Sequence, residues 1–167
     1  MSLRPSLQTL AHPVDCTGLG LHGGQSVRVV LRPLPTGRGI VFRRVDLERE
    51  LKASGRAARV EIQASVENVC QVDHATTLAA DTPAGLASVQ TVEHLMAALH
   101  GLGVDSCLVE IDGPEVPILD GSAQPWVELI RSAGLRPLGR ARRVRRLLEP
   151  FSVERGNASI VAYPSNE

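Results

Sequence analysis

Aromatic side chains are nearly missing from this 167-residue chain, and so is lysine. Only Phe42, Trp126, Phe151 and Tyr163 carry aromatic rings. Hydrophobic residues still make up 43% of the chain, so a core has to be assembled from Leu, Val, Ile and Ala. Lys52 is the one lysine. Arginine supplies the remaining positive charge, which reads as genome composition rather than as a choice for bidentate phosphate contacts. Net charge is also lacking, because 18 basic residues balance 18 acidic ones. That balance excludes a general nucleic-acid or membrane-surface binder, which relies on an excess of Lys and Arg. There is no CxxC. Cys16, Cys70 and Cys107 are odd in number and far apart, which points to unpaired thiols in a reducing compartment. No apolar run approaches the roughly 20 residues that span a bilayer. Residues 1–10 hold no apolar signal segment. The expectation is a soluble, cytoplasmic protein with no transmembrane segment and no nucleic-acid partner.

The length suits one domain, or one domain and part of another. Residues 7–14 read as a first strand. Gly18, Gly20, Gly23 and Gly24 then punctuate a turn around His22. Val27, Val29 and Leu31 alternate with polar residues, the period of a half-buried strand. A Pro-rich and Gly-rich loop leads to a short strand over 39–44, and these two strands are expected to form a hairpin. Residues 47–59 are polar and are expected to be irregular. Strand-like pieces follow over 60–72 and 75–80, and Pro83 and Gly85 mark a turn.

Val89, Val92, Met96 and Leu99 fall on one stripe at helical spacing. This predicts a helix over 88–102, with Ser88 as N-cap and Gly101 and Gly103 at its end. Residues 106–111 read as a buried strand, broken at Gly113-Pro114-Glu115-Val116-Pro117. Ser122 is placed to cap a second helix that runs to about Ala133 and stops at Gly134. From Gly139 the composition shifts. Arg140, Arg142, Arg143, Arg145 and Arg146 form a basic run, read as a solvated linker or an exposed strand face. Residues 151–153 and 160–162 read as two strands, too few to make a core of their own.

Chemistry concentrates in the first predicted helix. Glu93 and His94 are adjacent there, so their side chains diverge by roughly 100°. Ala97 and Gly101 line the same sector and leave it open. A metal-binding imidazole beside a carboxylate that deprotonates metal-bound water is a workable hydrolytic arrangement. Read alone, such a pair on a helix is common and is better explained as an exposed Glu beside a hydrogen-bonded His. A catalytic zinc needs three protein ligands. The remaining histidines, His12, His22, His74 and His100, form no HxxxH or HxxxD with His94 or with one another.

Seven stretches, in one order and with one spacing, carry a more specific signal. They are Gln8-Thr9-Leu10, Thr17-Gly18-Leu19-Gly20-Leu21-His22-Gly23-Gly24 and Val41-Phe42-Arg43-Arg44-Val45-Asp46-Leu47. Ala75-Thr76-Thr77-Leu78 and Thr91-Val92-Glu93-His94-Leu95 follow. Gly101-Leu102-Gly103-Val104-Asp105 and Glu115-Val116-Pro117-Ile118-Leu119-Asp120-Gly121-Ser122-Ala123 complete the set. Together they resemble the UDP-3-O-acyl-N-acetylglucosamine deacetylases, the zinc amidases of lipid A synthesis. The resemblance is close over residues 7–135 and looser beyond.

That resemblance implies an α+β fold: a two-layer sheet-and-helix domain, one of two similar domains, with the active site between them. Residues 1–138 would be the first domain. Residues 139–167 would be a linker and the opening strands of the second. The implied mechanism uses a zinc-bound water, with Glu93 as general base and His94 as a zinc ligand. Thr76 and Thr77 would lie near the substrate, a UDP-3-O-acyl-glucosamine-type molecule. His22 and Asp105 match family positions as structural or supporting residues, with His22 read as a hydrogen-bonded structural histidine. Asp120-Gly121-Ser122 reads as a turn and helix cap. The family's other zinc ligands, an HxxxD pair, are absent from these 167 residues. Zinc is therefore expected to bind this chain weakly or not at all, and the chain alone is expected to be inactive. Self-association is expected through the surface that a second domain covers. Two other readings are a stand-alone, non-catalytic binding or regulatory module, and, ranked last, a symmetric dimer that pairs two copies of His94.

Overall fold

The computed structural model describes residues 6–143 and 145–165. Residues 1–5, part of the segment read as lacking a signal, lie outside the described residues. So do Val144, Asn166 and Glu167 at the loosely matching end. The fold is α+β. Its strands and helices follow in chain order as β1 (Ser6–Leu10), β2 (Val14–Leu19), β3 (Ser26–Pro33), β4 (Ile40–Arg44), α1 (Val45–Ala53) and β5 (Glu61–Gln63). Next come β6 (Val69–Gln71), β7 (Thr77–Thr82), β8 (Gly85–Val89), α2 (Glu93–Gly101) and β9 (Cys107–Ile111). The chain continues through α3 (Gln124–Ala133), β10 (Leu135–Ala141), β11 (Phe151–Arg155) and β12 (Ala158–Ala162). No described helix is long and apolar enough to cross a membrane.

Residues 6–140 form one compact unit around a five-stranded sheet of order β2-β3-β9-β4-β5. β9 takes the centre, with Cys107, Leu108, Val109 and Ile111 all buried. It runs antiparallel to β3, setting Leu31 opposite Val109, and parallel to β4, setting Phe42 opposite the same Val109. β3 and β4 therefore do not form the expected hairpin. β9 lies between them, hydrogen-bonded along one edge to β3 and along the other to β4, so the backbone groups of this mostly buried strand are paired on both sides.

One face of this sheet supplies Val27, Val29, Leu31, Phe42 and Ile62 to the core. Leu95, Ala98 and Leu99 of α2 and Trp126, Ile130 and Ala133 of α3 join the same core. The other face carries a charge ladder: Arg32 bonds Glu110, Arg43 bonds Glu110 and Glu61, and Arg38 bonds Glu61. Two layers result, with α2 and α3 on one side of the sheet and paired charges on the other.

Four local readings change. Residues 7–14 are two strands, broken near Pro13, which has no N–H for a ladder; β1 pairs with β10 and β2 joins the main sheet. Residues 45–53 are the helix α1 rather than irregular chain. It buries only Leu51, so its apolar period is faint, while Asp46 and Glu48 sit favourably in its first turn. Ser88 is not an N-cap: it lies in β8, opposite Ala79. The stripe beginning at Val89 fits a strand as well as a helix. Val89 pairs with Leu78, the chain reverses at Thr91, and α2 begins at Glu93.

Residues 141–165 belong to a second unit. Within it β11 and β12 form an antiparallel hairpin, with Phe151 opposite Ala162 and Val153 opposite Ile160. Both strands are exposed along their length.

Candidate active site

The start of α2 is fixed from three directions. Thr91, just ahead of it, holds a left-handed backbone conformation (φ 57°) that a β-branched residue adopts only under constraint. The Val92 amide donates to the Thr76 carbonyl at 3.3 Å. The Thr76 amide donates back to Oε2 of Glu93 at 3.0 Å. Thr76 is thus clasped against the first residues of the helix. Glu93 and His94 are both half-buried there. A carboxylate in the first turn also benefits from the helix dipole.

His94 Nδ1 is buried and makes no hydrogen bond. A buried ring nitrogen without a partner is uncommon. The Asp120 carboxylate is held below its usual range by the Ser122 amide and hydroxyl, with a smaller electrostatic contribution from His94. Ser122 Oγ in turn accepts the Gln124 amide at the head of α3, so the Asp120 segment is a turn that leads into the helix.

Thr76 and Thr77 enter β7 facing opposite ways. Thr76 lines an apolar groove of about 340 Å³ with Glu93, Val66, Val69, Leu78 and Met96. Thr77 lines a polar groove, also about 340 Å³, with His22, Gln71, Asp73, His74 and Gln90. A larger hollow of about 570 Å³ along α1, lined by Glu48, Arg49, Lys52 and Arg59, contains none of the candidate residues.

His22 differs from its reading as a hydrogen-bonded structural side chain. The bonding is done by its backbone N–H, and its exposed ring lines the polar groove. Asp105 ties strands together: its Oδ2 accepts the Gln8 amide at 2.8 Å, and its own amide donates to the Gln8 carbonyl. It is not among the residues lining either groove.

The residue that sequence reasoning passed over is Glu115, only 2% exposed. Its carboxylate accepts the amides of His22 (3.0 and 3.1 Å) and Gly23 (2.9 Å) and the hydroxyl of Thr91 (2.9 Å). Burial raises its pKa, but these bonds outweigh burial and hold it below the usual carboxylate value. The available signal was indirect. An acidic residue stands between Pro114 and Val116-Pro117, and Gly20 stands opposite, where a Cβ would collide with the carboxylate.

Among the described residues no group of three His, Cys, Asp or Glu side chains could hold a metal. His94 offers one donor, and one donor is not a catalytic zinc site. The described residues alone therefore do not make up a catalytic metal site.

Fold and site together define a two-layer α+β domain that sets a carboxylate and an imidazole side by side at a helix start. A family profile described as UDP-3-O-acyl N-acetylglycosamine deacetylase matches residues 7–167, and the chain belongs to that family. It is 44% identical to the UDP-3-O-acyl-N-acetylglucosamine deacetylase of Citrifermentans bemidjiense over 158 residues, 95% of this chain and 48% of the relative. It is also 44% identical to the enzyme of that name from Legionella pneumophila (strain Corby) over 151 residues, 90% of this chain and 45% of the relative. The Xanthomonas campestris pv. campestris protein of that name is 44% identical over 150 residues. The chain spans about half the length of these curated relatives.

Proposed function

We propose that these residues are the N-terminal half of a zinc-dependent UDP-3-O-acyl-N-acetylglucosamine deacetylase, a cytoplasmic enzyme of lipid A synthesis, with a domain boundary near residue 138. The observation that carries this reading is the start of α2, where Glu93 is held by the Thr76 amide and His94 keeps a buried nitrogen without a partner. Zinc, when bound, polarises the acetamide carbonyl and acidifies water. His94 is this chain's donor toward it, and an HxxxD pair from outside these 167 residues completes the set.

Glu93 takes the proton of the attacking water, and Thr76 and Thr77 border the substrate. Hydrolysis then yields the free amine and acetate. Because one imidazole does not retain a catalytic zinc, the 167-residue chain alone should release no acetate from the nucleotide sugar. Acetate release at the rate of a full-length relative, lost on Glu93→Ala, would sink this reading of an incomplete site. Self-association is expected through the surface that a second domain would cover. A purely monomeric sedimentation profile at the highest soluble concentration would count against that.

A further inference from the structure

We infer that Glu115 is a positioning residue for the Glu93–His94 pair, acting through Thr91 and through the backbone of the His22 turn. The inference rests on the reading of Glu93 and His94 given above.

A continuous set of bonds joins the two places. On one side the carboxylate gathers the His22 and Gly23 amides, which closes the turn between β2 and β3. On the other side it holds the Thr91 hydroxyl. Thr91 is strained (φ 57°), and nothing in a threonine's own preference keeps it there. The bond to Glu115 and the flanking ladder supply the constraint: the Gln90 amide donates to the Pro114 carbonyl, and the Val116 amide donates to the Gln90 carbonyl. From Thr91 the chain turns directly into Val92 and Glu93, which clasp Thr76. If Thr91 relaxed toward a common backbone conformation, Glu93 would swing with it and its bond to Thr76 would be lost. A carboxylate suits this post better than an amide. All three donors point at it, and a glutamine NH2 would confront one of them with another donor.

The test measures amide hydrogen exchange on the intact 167-residue chain. Thr91→Val keeps the side-chain shape and removes the hydroxyl. Thr91→Ser keeps the hydroxyl. The expected result is that Thr91→Val speeds exchange of the Thr76 amide by about tenfold relative to the Val109 amide in β9, a local loosening. Thr91→Ser should restore it, and Glu115→Gln should loosen the Gly23 amide as well. A purely structural role would change both amides in parallel through global stability. Parallel change, or an unchanged Thr76 amide in Thr91→Val, would overturn the inference. Glu115→Gln is the variant at risk of failing to fold, and the Thr91 pair decides the question without it. The readout involves neither zinc nor turnover, so it can fail while the deacetylase reading stands, and the reverse holds too.

Discussion

Replacing Gly20 with alanine should dislodge the Glu115 carboxylate. Gly20 does not need a left-handed backbone; what it lacks is room. A Cβ there would lie 3.0 Å from Glu115 Cδ and closer still to Oε2. That carboxylate is not a free end that can step aside, because Oε2 accepts the Gly23 amide at 2.9 Å and the His22 amide at 3.1 Å. Losing these two charge-assisted bonds at about 1.5 kcal/mol each gives a loss of about 3 kcal/mol. For a domain of this size that is a drop in Tm of roughly 9 °C. The neighbouring Gly23→Ala is the control: its Cβ would sit 3.4 Å from the same oxygen, an ordinary contact. It should change stability by no more than about 0.5 kcal/mol.

The effect also carries a pH signature. Glu115 has a lower pKa folded than unfolded. Its contribution is therefore present above the unfolded value of about 4.3 and is lost as pH falls through the folded value. The gap between wild type and Gly20→Ala should be full at neutral pH and narrow in acid. Thermal melts followed by circular dichroism at several pH values measure it. Equal melting of the Gly20 and Gly23 variants, or a gap that is the same in acid as at neutral pH, would refute the reasoning.

Two further outcomes follow from burial and space. Cys107 is buried and its thiol is pushed up to about 12 by desolvation; Cys16, half-buried, rises to about 11; Cys70 is exposed. A thiol reagent at pH 8 should thus modify Cys70 rapidly and the other two only on unfolding, and rapid release of a second equivalent would contradict this. Gly101 closes α2 without a left-handed backbone and with nothing near the place of a Cβ. Gly101→Ala should raise stability by about 0.5–1 kcal/mol in chemical denaturation, and a loss would show the space to be filled.

The parts legible from residues alone were those where one face decides the pattern. Val27, Val29 and Leu31 alternate because β3 is half-buried, and Trp126 and Ile130 lie on one stripe because α3 covers the sheet. Where the cover comes from distant chain, the pattern misleads. The placement of β9 between β3 and β4 depends on residues some 70 positions apart meeting in one sheet, and no local period reports that. The misreading of Ser88 has a similar cause. Val89 is buried by Leu78 across a strand pair, yet its spacing to Val92 also fits a helix. Glu93 and His94 stood out as chemistry-bearing residues in a row. Glu115 did not, because its partners are two backbone amides far away in sequence and a threonine, none of which marks a site by type. Composition could show that Gly20 and Gly23 were small, but not what they were small for.

Whether Glu93 and His94 are half of a hydrolytic site is tested directly by a chimera. Residues 1–138 of this chain would replace the matching half of the Legionella pneumophila relative, and deacetylation of UDP-3-O-acyl-N-acetylglucosamine would be followed together with bound zinc. An active, zinc-containing chimera is expected. Glu93→Ala should lower kcat by about 10²- to 10⁴-fold with zinc retained, and His94→Ala should lose the zinc. A folded, active chimera indifferent to both substitutions would contradict that reading.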